Sequence, residues 1–212
     1  MATGATKASS VVAGAVLVLM SLVAQAGPDE DYRAANAAFR SGDMAGAMSL
    51  LKRNAAQGHV PSMVLLGYIL EQSSLDSDAV QMYRKAADAG SVDGEMALAA
   101  MLAAGKGTTR DEVQALRLYE KAAERGNANA VNFLAQAYIS KTMGLAPDKR
   151  NNGRALSALK RAADGGYEPA AAELARAYAT GDFGLAPDPA EAARWQSKVT
   201  TQGGSRTTKG QR

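Results

Sequence analysis

Tyr119-Glu120-Lys121-Ala122-Ala123-Glu124-Arg125-Gly126 carries the frame on which the 212-residue chain is built. Ala115 and Leu118 precede it, so small and bulky residues recur at offsets of three, four and seven. Such offsets gather them on one helical face, where alanines let a neighbouring backbone approach and the large residue fills the space between. The glycine behind the run can take the left-handed conformation that stops a helix and turns the chain. Upstream the frame reads Ala79, Met82-Tyr83, Ala86-Ala87, Gly90 and, before that, Ala47, Leu50-Leu51, Asn54-Ala55, Gly58. Downstream it reads Ala155, Ala158-Leu159, Ala162-Ala163, Gly166 and then Ala192, Trp195-Gln196, Val199-Thr200, Gly203. The glycines are 32, 36, 40 and 37 residues apart, within the range of stacked helix pairs.

A second helix set lies between these, marked by Leu66-Gly67, Leu98-Ala99, Leu134-Ala135 and Leu174-Ala175, each with Leu or Tyr four residues after the leucine. The first pair, with Ala34-Ala35 and Phe39 before Ser41-Gly42-Asp43, matches least, as expected of a terminal repeat with one face toward solvent. The boundaries predict five helix pairs at about 27–58, 59–90, 91–126, 127–166 and 167–203, followed by a flexible basic tail at 204–212. Turns inside the pairs carry the length differences. Asp111 with Gln114, and Asp188 with Pro189 and Glu191, are placed to cap the helices that follow them. The polar run Lys149-Arg150-Asn151-Asn152-Gly153 is expected to be mostly solvated loop.

Leu-Gly-x-x-Leu or Tyr, then a glycine turn with Asp, then Ala-x-x-apolar-Tyr-x-x-Ala-Ala-x-x-Gly resembles the SEL-one-like repeat family, relatives of the tetratricopeptide repeats. The resemblance covers nearly the whole chain after residue 26. Its best copies are Tyr83 to Gly90 and Tyr119 to Gly126, and its first and last copies are degenerate. It implies an all-α, right-handed α/α solenoid of about five hairpins, with adaptor or scaffold roles and protein partners. It also implies that the first helix of each pair lines the concave side. The candidate partner-binding residues on that face are Asn36, Val64, Tyr68, Glu71, Asp93, Met96, Asn129, Asn132, Gln136 and Arg176, with Ala100 and Ala172 between them. The stripe passes from an aromatic and apolar end to an amide-rich middle. Amides both donate and accept, which suits the backbone of an extended peptide or a polar glycan.

Residues 1–26 hold one cation, Lys7, then the apolar run Val11 to Val23 and the small-x-small site Ala24-Gln25-Ala26. This is the pattern of a cleaved signal peptide. Thirteen helical residues rise only about 20 Å against a hydrocarbon core of roughly 30 Å, so stable membrane insertion is not expected after cleavage. Export to the periplasm, or secretion beyond it, is the expectation. Aromatic residues are 5% of the chain and cysteine is absent, which excludes disulfides, thiolate metal sites and a lipidated N-terminal cysteine. The net charge of +3 comes from Lys7 and from Lys198, Arg206, Lys209 and Arg212, leaving a body near −2. That is not the footprint of a nucleic-acid binder.

Chemistry-bearing residues are sparse. His59, the single histidine, stands at a turn and reads as solvated structure, so a Ser-His-Asp triad would need this one side chain. Acidic residues fall at caps and outward faces, without the apolar pairing that raises a carboxyl pKa for acid catalysis. Gly105-Lys106-Gly107-Thr108-Thr109 lacks the spacing and preceding strand of a phosphate loop, and Trp195 sits in the bulky packing column. No cofactor and no metal are expected. An envelope adaptor without catalytic activity is the leading expectation. Two others stay open: a cell-wall-active or β-lactam-binding or hydrolysing enzyme, which family resemblance suggests despite the absent Ser-x-x-Lys motif, and a secreted effector that binds a host protein.

Overall fold

A computed structural model describes residues 27–143 and 153–205, with side chains through 199. Ten α-helices follow one another among the described residues: α1 (Pro28–Ser41), α2 (Met44–Ala56), α3 (Val60–Gln72), α4 (Asp76–Asp88), α5 (Val92–Ala104), α6 (Glu112–Glu124), α7 (Ala128–Ser140), α8 (Gly153–Asp164), α9 (Glu168–Thr180) and α10 (Pro189–Ser205). A single 3-10 turn, Asp182–Gly184, joins the last two, and no strand occurs among these residues. Each helix packs against the helix before and after it in the chain, which is the signature of a solenoid.

The recurring frame is what closes the stack. Its leading alanines, Ala47, Ala79, Ala115 and Ala155, are all 0% exposed, while Ala192, on the last described helix, is only partly covered. Leu66, Leu98, Leu134 and Leu174 of the odd-numbered helices face them from the same core. At Tyr83 the facing residue is a glycine: a Cβ on Gly67 would stand 2.6 Å from the tyrosine ring. Gly58, Gly90, Gly126 and Gly166 all sit at φ between +85° and +91°, which fits the expected helix stops.

Gly203 behaves differently. α10 runs through it to Ser205, and two interior glycines cost only about 1 kcal/mol each. Asp111 and Asp188 do cap α6 and α10 by accepting from backbone N–H groups of Gln114, Ala190 and Glu191. The Glu191 carboxylate instead accepts from Trp195 Nε1 at 3.2 Å and so anchors the buried indole. The polar run at 149–152 and the tail after Ser205 lie outside the described residues.

Candidate interaction surface

Every residue of the sequence-predicted stripe lies on an odd-numbered helix and is partly or wholly exposed. Counting from each helix start explains why. Leu66, Leu98, Leu134 and Leu174 are seventh and point inward, so the fifth and ninth residues stand on the opposite flank. Tyr68, Ala100, Gln136 and Arg176 are the ninth residues of α3, α5, α7 and α9, with Asn36 their counterpart in α1. The helices are joined across this face. Phe39 meets Tyr68 edge-on at 6.0 Å, and the Tyr167 hydroxyl donates to Gln136 Oε1 at 2.7 Å.

The aromatic end is the best-formed part. A groove of about 430 Å³ lies between α3 and α5, bordered by Tyr32, Val64, Tyr68, Asp93 and Ala97. Tyr68 is 44% exposed there, among the few large hydrophobic residues so displayed. Asn129 and Asn132, farther along, make no side-chain hydrogen bond to described residues and keep their amides free.

Other stripe residues are less available than expected. Glu71 is held at both oxygens, by the Tyr83 hydroxyl at 3.0 Å and by Lys106 Nζ at 3.1 Å. Burial, and then the Glu71 carboxylate, push the Tyr83 phenol well above its ordinary pKa of 10. Lys106 also pairs with Asp76 at 3.3 Å, so the Gly105-Lys106-Gly107 turn is a staple onto the preceding repeat. Arg176 pairs with Glu173 and Asp182, which raise its pKa further, and Asn36 donates to the Tyr32 carbonyl. Gln136 gives its oxygen to Tyr167 and its nitrogen to Ser140.

His59 is not the solvated residue its turn position suggested. Its ring is mostly covered, sharing a hydrogen bond with Ser62 Oγ at 2.7 Å through Nδ1 and one with Asp29 at 3.1 Å through Nε2. The three residue types of a hydrolase triad therefore meet, but with accessibility inverted: Ser62 is 0% exposed and Asp29 lies in solvent. A nucleophile must reach its substrate, and Ser62 instead accepts from the buried Asn54, whose nitrogen also holds the Pro28 carbonyl. The cluster ties α1 to the stack.

Two acids also depart from the expected caps and outward faces. Asp31 is 6% exposed and Glu95 0%. Both are fourth in their helices, where Met63, Val131 and Ala171 stand in the other pairs, and register puts that position inside. Each meets cations and not a second carboxylate: Arg53 for Asp31, and Lys121 at 2.6 Å with Arg125 at 3.4 Å for Glu95. Among the described residues no group of His, Asp and Glu could hold a metal ion, and no helix is long and apolar enough to cross a membrane.

The Sel1 repeat model matches residues 60–91, 92–127 and 169–198. A protective antigen of uropathogenic Escherichia coli with an SLR fold superposes with a TM-score of 0.70 at 25% identity, over 83% of this chain. The chain spans only 38% of that antigen. A Sel1 repeat protein from Oxalobacter formigenes gives a TM-score of 0.67 at 24% identity, over 81% of this chain and 70% of the other. MamA gives 0.56 at 19% identity, a likeness of fold alone. No curated protein matches the chain in sequence.

Proposed function

We propose, from the premise that this chain is a Sel1-repeat protein, that it is an exported, non-catalytic adaptor which holds a protein partner along its odd-numbered helices. Sel1-repeat proteins are generally protein-interaction scaffolds. The single observation that carries the site is the groove under Tyr68, where an exposed ring borders an apolar trough at the joint of two repeats. Aromatic anchors of this kind dominate interface energetics. Export rests on the signal pattern of residues 1–26, and the non-catalytic reading draws support from the way His59 and the buried acids are consumed in structural ties.

Photo-crosslinkers placed at Tyr68 and Asn132 should trap a discrete protein adduct in envelope extracts, whereas one at Arg117, exposed on α6, should not. Combined Tyr68→Ala, Asn132→Ala and Gln136→Ala replacement should reduce capture of that adduct about tenfold or more. Equal adducts from both faces, or full capture by the triple variant, would remove the assigned surface. Mass spectrometry of the periplasmic fraction should find a chain beginning at Gly27; a full-length chain held in the cytoplasm would refute export.

A further inference from the structure

The even-numbered helices carry a repeated cation five residues before each closing glycine: Arg53, Lys85, Lys121, Arg161 and Lys198. Four are occupied. Arg53 pairs with Asp31 and Lys121 with Glu95, Arg161 donates to the Ala123 carbonyl at 2.6 Å, and Lys198 pairs with Asp164 at 2.5 Å. Lys85 has no such partner among the described residues: the position that supplies Asp31 and Glu95 to their repeats is Met63 in this one, and no carbonyl or other acid replaces it.

Lys85 and Lys52, also exposed and unpaired, stand at the rim of a groove of about 290 Å³ between α2 and α4. Its walls are mainly Met48, Leu66, Leu70, Leu75 and Met82, and Leu75 is 47% exposed. Asp78 is the one acid of the rim, seven residues and so about 10 Å along the helix from Lys85, too far to neutralise it. The matching groove two repeats on places Glu120 where this one has Lys52, and Glu124 where it has Ala56. That groove has cations too, Arg154 and Arg161, but Glu120 and the Ala123 carbonyl hold them, so of the two grooves the first is the one whose rim cations are unengaged. Its volume lies just under the range for a drug-sized ligand and admits one or two side chains.

We propose that this groove is a second binding site, on the opposite helix set from the Tyr68 surface, for a peptide segment of a protein partner in which an aliphatic or aromatic anchor lies a few residues from a carboxylate. The anchor enters between Met48 and Met82, and the carboxylate meets Lys85 with Lys52 beside it. The match is one of charge over apolar contact, so binding weakens with salt.

A displayed random heptapeptide library, selected on the purified chain, tests this. Enriched peptides should carry Asp or Glu within four residues of Leu, Ile, Met or Phe. Lys85→Gln and Lys52→Gln should each weaken them about threefold to fivefold, Met82→Trp should fill the groove and abolish binding, and Tyr68→Ala should change nothing. Lys85→Glu should prefer the same peptides with Lys in place of the acid, which keeps the outcome independent of any folding defect. The site is refuted by absence of acidic enrichment, by binding indifferent to Lys85→Gln, or by displacement of the peptides by laurate or by a second copy of the chain. Peptides lost on Tyr68→Ala but kept on Lys85→Gln would refute it too, while leaving the Tyr68 surface standing.

Discussion

The third repeat buries a carboxylate at the fourth residue of its first helix, and the second repeat buries a methionine at the same place. Glu95 draws Lys121 and Arg125 onto itself, whereas Met63 leaves Lys85 to solvent. The backbones are alike, both helices having thirteen residues. A core carboxylate is thus one way to make a surface cation structural; behind Val131 and Ala171, Arg161 and Lys198 instead find the Ala123 carbonyl and Asp164, and behind Met63 nothing among the described residues replaces it. Burying an ion pair gains little over a well-packed apolar side chain, since desolvation offsets most of the attraction. The difference between the repeats is then one of surface chemistry more than of stability.

The largest effect should come from stripping Glu95 of its partners. Lys121→Met with Arg125→Met leaves a fully buried carboxylate unpaired and should cost about 2–3 kcal/mol, below the usual range for breaking a buried pair because both cations are about half exposed. Urea denaturation measures it, and a loss under about 1 kcal/mol would mean that water reaches Glu95. Next comes Gly67→Ala, whose new Cβ meets the Tyr83 ring; overpacking should cost about 1–3 kcal/mol, and Tyr83→Leu in the same chain should recover most of it. Glu95→Met, which turns the third repeat into a copy of the second, should be neutral or stabilising by about 1 kcal/mol and should raise the salt sensitivity of binding at the newly freed Lys121. A clear loss of stability would show that the pair specifies packing.

Alkaline pH leaves stability near neutrality untouched and acts only above the ordinary tyrosine pKa. Burial raises Tyr119 to about 12 and Tyr83 further still, against 10 in the unfolded chain. Above pH 10 the unfolded state releases these protons first, so stability should be level below pH 10 and fall as pH rises toward 12. Thermal melts of Tyr119→Phe should fall less steeply over that window; an unchanged slope would assign the alkaline loss to other groups.

Legibility divided between local and distant contacts. The helix stops at Gly58, Gly90, Gly126 and Gly166 and the caps at Asp111 and Asp188 were readable because each depends on local backbone chemistry. The exposed flank around Tyr68 followed from the helix arrangement that the family resemblance implied. Glu71, Gln136 and Arg176 were not, as their partners Lys106, Tyr167 and Asp182 approach from turns whose course no periodicity describes. His59 was misjudged for a related reason: Asp29 lies thirty residues away and is brought in by stacking. A signal for Glu95 was present, since aligning helix starts sets it beside Met63, Val131 and Ala171, all apolar. The available lysine needed the same alignment carried onto the following helix.

From α2 to α7 every helix is thirteen residues long, and so is α9, although repeat length varies by as much as eight residues. The length differences between these repeats therefore fall in the connecting segments, and neighbouring units meet through slabs of constant height, about 20 Å. Such units are modular: excising or duplicating one between two closing glycines should shorten or lengthen the superhelix without reshaping what lies on either side.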